Sequence, residues 1–373
     1  MVEILDSTLR EGEQTPNVTL TINEKIEIAN LLDDFGVDII EAGHPSVSKD
    51  IYKSVKTIAN QNYNAEILAH CRSMTEDIDV ALSCDVDWVG IFFCVSNERI
   101  EQQFRKSIDK IINQIAGTIQ YAKDHGLKVR YTPEDTVRTE YDTLNRVIKA
   151  AIESEVDRIS IADTVGAMTP IKMYNFIKKI KNDFDVKLNV HCHNDLGMAT
   201  ANAIAAYEAG VDLIDVTVNG LGERAGITPL SELCSTLHTL YNERNKWNFE
   251  LLPKITQIVS KFSGLEVAKN TPIVGENVFT HNAGLHVAAV LCKPEFYEIF
   301  PAELIGKKRN FILDKMASSK TVKQKLEDIG VDSTDENINK ILNQVKSLEK
   351  GSISDEELNQ IFNGSRYEKN MFQ

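Results

Sequence analysis

Residues 2–14 read Val2-Glu3-Ile4-Leu5-Asp6-Ser7-Thr8-Leu9-Arg10-Glu11-Gly12-Glu13-Gln14. The short apolar run Val2–Leu5 suits a strand, and it passes at once into polar and charged residues. An open, doubly wound sheet would place a glycine-rich phosphate fingerprint after this strand. Here the turn carries Arg10 and Glu11 instead, which favours a barrel whose first strand ends at a chemical site.

Further short apolar runs follow at Val37–Glu41, Glu66–Ala69, Trp88–Cys94, Leu127–Thr132, Arg158–Ala162, Lys187–His191 and Leu213–Val218. Between them lie amphipathic stretches such as Asn23–Phe35, Ile100–His125, Tyr141–Glu153, Pro170–Asn182 and Met198–Ala209. Eight such pairs before about residue 245 fit the usual size of an α/β (β/α)₈ TIM barrel. A Val-Asp pair precedes an apolar run at Val37-Asp38, Val86-Asp87, Val156-Asp157 and Val211-Asp212. The spacing is too irregular for a solenoid and reads as one helix-to-strand turn used four times.

Beyond the barrel the pattern changes. Leu251–Gly264 reads as a helix stopped by its glycine, and 270–310 is rich in Pro and Gly. Short helical segments return after Thr321. The expected organisation is a catalytic barrel over 1–266, a linker and accessory subdomain over 267–320, and a small helical subdomain over 321–373.

The chain has 373 residues and a formal net charge of -14, which argues against a nucleic-acid partner. Any anionic substrate must therefore be held locally, by a cation or an arginine. Six scattered cysteines without a C-x-x-C pair suggest reduced thiols and a cytoplasmic protein rather than a disulfide framework. The sequence offers neither a signal peptide nor an apolar run long enough to span a membrane.

Side chains at the C-terminal strand ends of such a barrel converge on one site. Strand ends here supply Arg10, Glu11 and Gln14; Glu41 and His44; His70 and Arg72; Arg130, Thr132, Glu134 and Asp135; Asp163 and Thr164; and His191, His193, Asn194 and Asp195. His191-Cys192-His193 is the sharpest signal, because residues two apart on a strand face the same side. Both imidazoles can thus meet one divalent cation, with Glu11 as the carboxylate that completes the set. Mixed O and N ligation suits Mg, Mn, Zn or Co. Arg130, inside a strand, is expected either to pair with Glu134 or Glu66, or to grip a substrate carboxylate with Thr132 beside it and His70 as a second donor. Arg10 is placed to neutralise a developing carbonyl charge. The turn Asn219–Gly226 (NGLGERAG) reads either as a phosphate cradle or as a tight turn.

Residues Leu9–Gln14 with Lys25, and Leu188–Ala201 (LNVHCHNDLGMATA), resemble the two signatures of the isopropylmalate/homocitrate synthase family. Glu134–Thr139, Ala162–Gly166, Asn219–Gly226 and Phe279–His286 are similar to further family segments, so the resemblance runs from about residue 2 to 330. It implies a metal-dependent Claisen condensation of acetyl-CoA with a 2-oxo acid, followed by thioester hydrolysis. The metal would be held by Glu11, His191 and His193. Arg10 would stabilise the carbonyl oxygen, and Thr164 would contact the substrate carboxylate. The resemblance further implies a base, His286, delivered from the neighbouring subunit of a homodimer, with Tyr297 nearby and Glu134 in support.

Arg130 and His70 match the members that accept 2-oxoglutarate, and therefore imply the homocitrate-forming reaction; amino-acid (lysine) biosynthesis is the expected setting. Isopropylmalate or citramalate formation is the alternative. Two positions depart from common homocitrate-forming members: Gly90, where some have Asp, and Asn282, where many have Lys. A carbon–carbon lyase on the same barrel and a non-catalytic metabolite-binding protein are the competing functional classes.

Overall fold

The structure, a computed structural model, describes residues 1–243 and 247–364. The last part of the helical segment expected over 321–373 therefore lies outside the described residues. The chain divides into two compact units, Met1–Val267 and Ala268–Gln373.

The first unit is a closed barrel of eight parallel strands, with β8 pairing back onto β1. The strands are β1 (Glu3–Asp6), β2 (Ile39–Gly43), β3 (Glu66–Arg72), β4 (Trp88–Cys94), β5 (Lys128–Glu134), β6 (Arg158–Asp163), β7 (Lys187–Cys192) and β8 (Leu213–Val216). Each is followed by a helix: α1 (Ile22–Phe35), α2 (Lys49–Ala59), α3 (Thr75–Leu82), α4 (Ile108–Asp124), α5 (Tyr141–Glu153), α6 (Pro170–Asp183), α7 (Ala199–Glu208) and α8 (Leu230–Tyr241). A ninth helix, α9 (Leu252–Ser263), ends at Gly264 in the left-handed conformation, as its sequence implies.

Local signals set these elements. Thr21 and Glu24 form a reciprocal capping box on α1, and Gly36 closes it at φ 100°. Thr169 caps α6, with Pro170 in its first turn. The four Val-Asp pairs acquire a physical reason. Asp38, Asp87, Asp157 and Asp212 each accept, through Oδ2, the backbone N–H of Ile4, Ile67, Val129 and Leu188, at 2.7 to 2.8 Å. Each aspartate thus secures the N-terminal end of the preceding strand and enforces parallel register.

Two expectations are corrected. The stretch Ile100–His125 is not one helix. A short turn at Asn97–Arg99 runs into a widened turn at Ile100–Phe104, Arg105 adopts φ 51°, and α4 restarts under a Ser107 cap. The polar run Arg105-Lys106-Ser107 supplies the break. The eighth strand stops at Val216 rather than Val218, because Val218–Gly220 coil into a tight turn with Asn219 at φ 58°.

Within the barrel, Leu5, Ile39, Leu68, Trp88 and Leu213 form an apolar cluster. The first residues of the strands plug the N-terminal end with charge: Arg158 pairs with Glu3, and Lys128 with Glu66. Polar groups are thereby free to gather at the opposite rim.

The second unit carries a two-stranded parallel sheet, β9 (Thr280–His281) with β10 (Asn310–Phe311), and helices α10 (Gly284–Cys292), α11 (Ser319–Asp328), α12 (Asp335–Ser347) and α13 (Asp355–Asn359). Leu313, Val322, Leu326, Ile341, Val345 and Leu358 make its core.

Candidate active site

The C-terminal strand ends enclose a cavity of about 300 Å³. Arg10, Glu11, Gln14, His70, Arg130, Thr132, Glu134, Thr164, His191 and His193 all line it, so the expected barrel residues are brought together. His286 and Tyr297 belong to the second unit, where the two rings lie 4.2 Å apart.

One oxygen of Glu11 and one nitrogen each of His191 and His193 fall within 4.8 Å of one another, and all three residues are buried. His191 Nδ1 meets Asp215 Oδ2 at 3.0 Å, which assigns its proton to Nδ1 and leaves the Nε2 lone pair directed at His193. His193 Nδ1 is buried without a partner, and burial, then the neighbouring His191, lower its pKa to about 4. Burial alone would raise the Glu11 carboxyl. Arg10 beside it, His191, the Glu223 amide and His193 outweigh that and hold it at about 2. A carboxylate and two imidazoles, one turned toward the other, are a donor set suited to a divalent cation.

Glu41 is the fully buried hub beside this cluster. It takes Arg10 Nη2 at 2.8 Å, Arg130 Nη2 at 2.8 Å and His70 Nδ1 at 3.1 Å, and it also accepts from the Ser7 hydroxyl. Burial opposes its ionisation, but the two guanidiniums hold its carboxyl well below the usual range. Burial, then the charge of Arg10, pushes the pKa of His70 down to about 4, so this imidazole is neutral.

Arg130 departs from both expected pairings. Glu134 binds Arg99, and Glu66 binds Lys128 and Trp88. Arg130 instead reaches Glu41 and, at 3.3 Å, Asp215. Strand register explains this. Arg130 sits low in β5, level with Gly90, and points across the barrel axis rather than up to the rim. A Cβ at Gly90 would stand 3.0 Å from Arg130 Nη2, so the glycine makes room for that side chain.

Thr164 Oγ accepts the Asp135 amide at 3.0 Å, which leaves its O–H to donate. Gln14 is exposed at the cavity rim. The turn Asn219–Gly226 behaves as a scaffold rather than an open cradle. The Gly222 amide donates to Thr15 Oγ at 2.8 Å, and that of Glu223 to Glu11 Oε1 at 3.0 Å, so the turn aims the carboxylate.

Sequence reasoning named Glu41 without a role and did not single out Asp215, Phe92 or Asp77. A signal existed for the first two: each is a lone acid inside an apolar strand run, IIEAG and LIDV, where only a buried partner offsets its desolvation.

Residues 1–259 match the HMGL-like family, and residues 273–352 match the family described as homocitrate synthase post-HMGL domain-like. The chain is 50% identical over 344 residues to a protein named homocitrate synthase from Pyrococcus horikoshii, covering 92% of this chain and 94% of that one. It is 52% identical over 328 residues to one of the same name from Pyrococcus abyssi, covering 88% and 90%. The barrel resembles the crystal structure of an HMG-CoA lyase from Bacillus subtilis at 19% identity and a TM-score of 0.63, over 70% of this chain and 94% of that one. A barrel match and a post-barrel match in this order, with relatives of half-identical sequence over nearly full length, place the chain in the HMGL-like family, on the branch that carries the homocitrate synthase post-HMGL domain.

Proposed function

We propose that the chain is a homocitrate synthase, joining the methyl carbon of acetyl-CoA to the keto carbon of 2-oxoglutarate and hydrolysing the thioester to release CoA. The observation that carries this reading is the convergence of Glu11, His191 and His193 in one corner of a cavity also walled by Arg10, Thr164, His70 and Arg130. Half-identity to relatives of that name over nearly the whole chain supports it.

Bound by Glu11, His191 and His193, a divalent cation (Mg, Mn, Zn or Co) would supply Lewis acidity to the keto oxygen. Arg10, anchored by Glu41 and Glu11, faces the negative charge that develops on that oxygen. The Thr164 O–H donates to the adjacent carboxylate, and Gln14 closes the rim over it. His70 and Thr132 wall the far end, where the second carboxylate lies, with the charge of Arg130 beneath. His286 removes a methyl proton from acetyl-CoA, with Tyr297 packed on its ring and Glu134 supporting from the barrel. The enolate carbon forms the new bond to the keto carbon, and water cleaves the thioester.

We assign His286 to the partner's site in a homodimer. Leu285, Phe296 and Ile299, in the same segment, are 85%, 61% and 73% exposed, which suits burial against a second chain. In this reading 267–320 is the accessory subdomain that delivers the base and 321–373 a helical cap, in a cytoplasmic enzyme of lysine-type amino-acid biosynthesis. Among the described residues no helix is long and apolar enough to cross a membrane.

The test is release of free CoA thiol from acetyl-CoA with a panel of 2-oxo acids. The expected result is metal-dependent release with 2-oxoglutarate and little with 2-oxoisovalerate or pyruvate. Faster release with either of the latter would transfer the reading to isopropylmalate or citramalate synthesis.

A further inference from the structure

Thr164, His193 and the turn that aims Glu11 all lie past the ends of their strands. β6 stops at Asp163, β7 at Cys192, and the turn Asn219–Gly226 follows β8. Their spacing must therefore be set by contacts between loops. Arg224, in that turn, crosses all three. Its Nε and Nη2 grip Asp195 Oδ1 and Oδ2 at 2.7 and 2.9 Å, and Nη2 donates again to the Thr164 carbonyl at 2.7 Å. A planar guanidinium can make this fork and the added bond together, whereas an ammonium cannot.

The backbone is shaped to present that side chain. Arg224 sits at φ 59°, a conformation that a side-chain-bearing residue keeps only where its surroundings impose it. Gly226 closes the turn so tightly that a Cβ would lie 1.7 Å from the Gly220 carbonyl oxygen. The Gly226 carbonyl takes the Asn194 amide at 2.9 Å, which joins the turn to the loop after β7. On the other side, a Cβ at Gly166 would stand 3.1 Å from the Asp195 amide nitrogen and from the His193 carbonyl. The loop after β6 is thus packed on the loop after β7, with Arg224 bolted across both.

As a stabiliser this ion pair counts for little, because the Arg224 side chain is 40% exposed. Its effect is on direction. Thr164 is held at two atoms: its carbonyl by Arg224, and its Oγ by the Asp135 amide at 3.0 Å. Together these leave the Thr164 O–H as a donor at the cavity that Thr164 lines.

We propose that Arg224 is a positioning residue for the 2-oxo acid: by clamping the Thr164 carbonyl to Asp195 it holds the Thr164 hydroxyl against the carboxylate next to the keto group. The inference rests on the condensation proposed above, in which Thr164 donates to that carboxylate. The metal corner does not depend on the same side chain. Glu11 is aimed by the Glu223 backbone amide, which a change at the Arg224 side chain leaves in place.

The test uses full-length Mn-loaded enzyme as wild type, Arg224→Ala, Arg224→Lys, Thr164→Val and the double variant Arg224→Ala/Thr164→Val. Calorimetry gives Kd for 2-oxoglutarate without acetyl-CoA and, on chelator-treated protein, Kd for Mn. Thiol release gives KM and kcat. Arg224→Ala should raise Kd and KM for 2-oxoglutarate about 3- to 10-fold, the weight of one neutral hydrogen bond. Its kcat and its affinity for Mn should stay within about threefold of wild type. Arg224→Lys, which keeps the charge but not the fork, should fall between the two. Once Thr164 is valine, Arg224→Ala should change Kd by less than about twofold, because the arginine acts through that hydroxyl. Equal effects of Arg224→Ala with and without the hydroxyl would overturn the role, as would a wild-type Kd in a folded Arg224→Ala chain. A loss of Mn affinity as large as the loss for 2-oxoglutarate would also overturn it, and in each case the condensation stands. A wild-type enzyme that neither binds 2-oxoglutarate nor releases thiol would remove the condensation itself, and this inference with it.

Discussion

His191 Nε2 and His193 Nε2 stand 3.3 Å apart, with the Glu11 carboxylate 4.0 Å from the latter. Two imidazolium ions would repel each other in that space, and a neutral pair can share only one N–H···N contact there. A cation satisfies both lone pairs and the carboxylate at once. Addition of Mn, Mg, Zn or Co salts should therefore raise the unfolding temperature of the wild-type chain, and a chelator should reverse the rise. Saturation at about a hundred times Kd corresponds to roughly 2.7 kcal/mol of added stability. His191→Ala and His193→Ala should show no metal-dependent rise and no thiol release. A metal response that survives in both variants would place the ion elsewhere.

Glu41 offsets two buried guanidiniums, and its removal should cost more than a single hydrogen bond. In Glu41→Gln the charges of Arg10 and Arg130 lose their shared carboxylate, with only Glu11 and Asp215 left to each side. Breaking a buried pair in this way costs about 3–5 kcal/mol. Urea unfolding checks this, read as a fall in the midpoint at unchanged slope. A loss below about 1 kcal/mol would mean that water reaches the hub.

Much of this arrangement was legible from the chain, because it depends on short-range rules. Period and length gave the eight strands, and strand alternation put His191 and His193 on one side. The position of Glu11 after the first run made it the facing acid. Legibility failed where a partner lies across the barrel. For Arg130 the sequence offers Glu134 or Glu66 as protein partners, beside the alternative of a substrate carboxylate. The closed sheet instead brings β2 and β8 to its guanidinium, and only the strand stagger decides that. Asp77 was missed for a related reason: an acid in a helix first turn usually serves the helix dipole, whereas this one points back to His44. The break at Arg105 was hidden because apolar spacing resumes in phase beyond it.

Asp6 gives the structure a pH signature separate from catalysis. Its side chain is buried, with Oδ2 unpartnered and Oδ1 accepting the Thr8 amide at 2.8 Å. Burial, aided by the charges of Glu41 and Asp215 and opposed by the Thr8 bonds, lifts its pKa from 3.8 to about 7. Between those two values the folded chain keeps the proton and the unfolded chain releases it, so stability falls as pH rises through this window. Above pH 7 both forms are ionised and this contribution is constant. At about 1.4 kcal/mol per unit, the contribution approaches ~4 kcal/mol at most. Asp6→Asn keeps the shape and the Thr8 bond without the titration. The stability difference between variant and wild type should therefore grow from pH 4 to pH 7 in the variant's favour and then level off. Parallel pH curves for the two chains would show that water solvates Asp6.

The proposed sharing of the site between subunits makes a prediction that no single-chain measurement can imitate. His286→Ala and Glu11→Ala each remove one component of the proposed machinery, so each homodimer should be inactive. In a mixed dimer one barrel retains Glu11 and receives an intact His286 from its partner, while the other barrel lacks both. Random mixing of equal amounts makes half the dimers hybrid, each with one complete site, so co-refolded protein should recover about a quarter of wild-type activity. A base acting within its own chain gives no recovery, because every hybrid then contains one barrel without a base and one without a complete metal set. Thiol release measured against mixing ratio separates the two cases, since recovery from a shared site peaks at equal proportions and vanishes at either end.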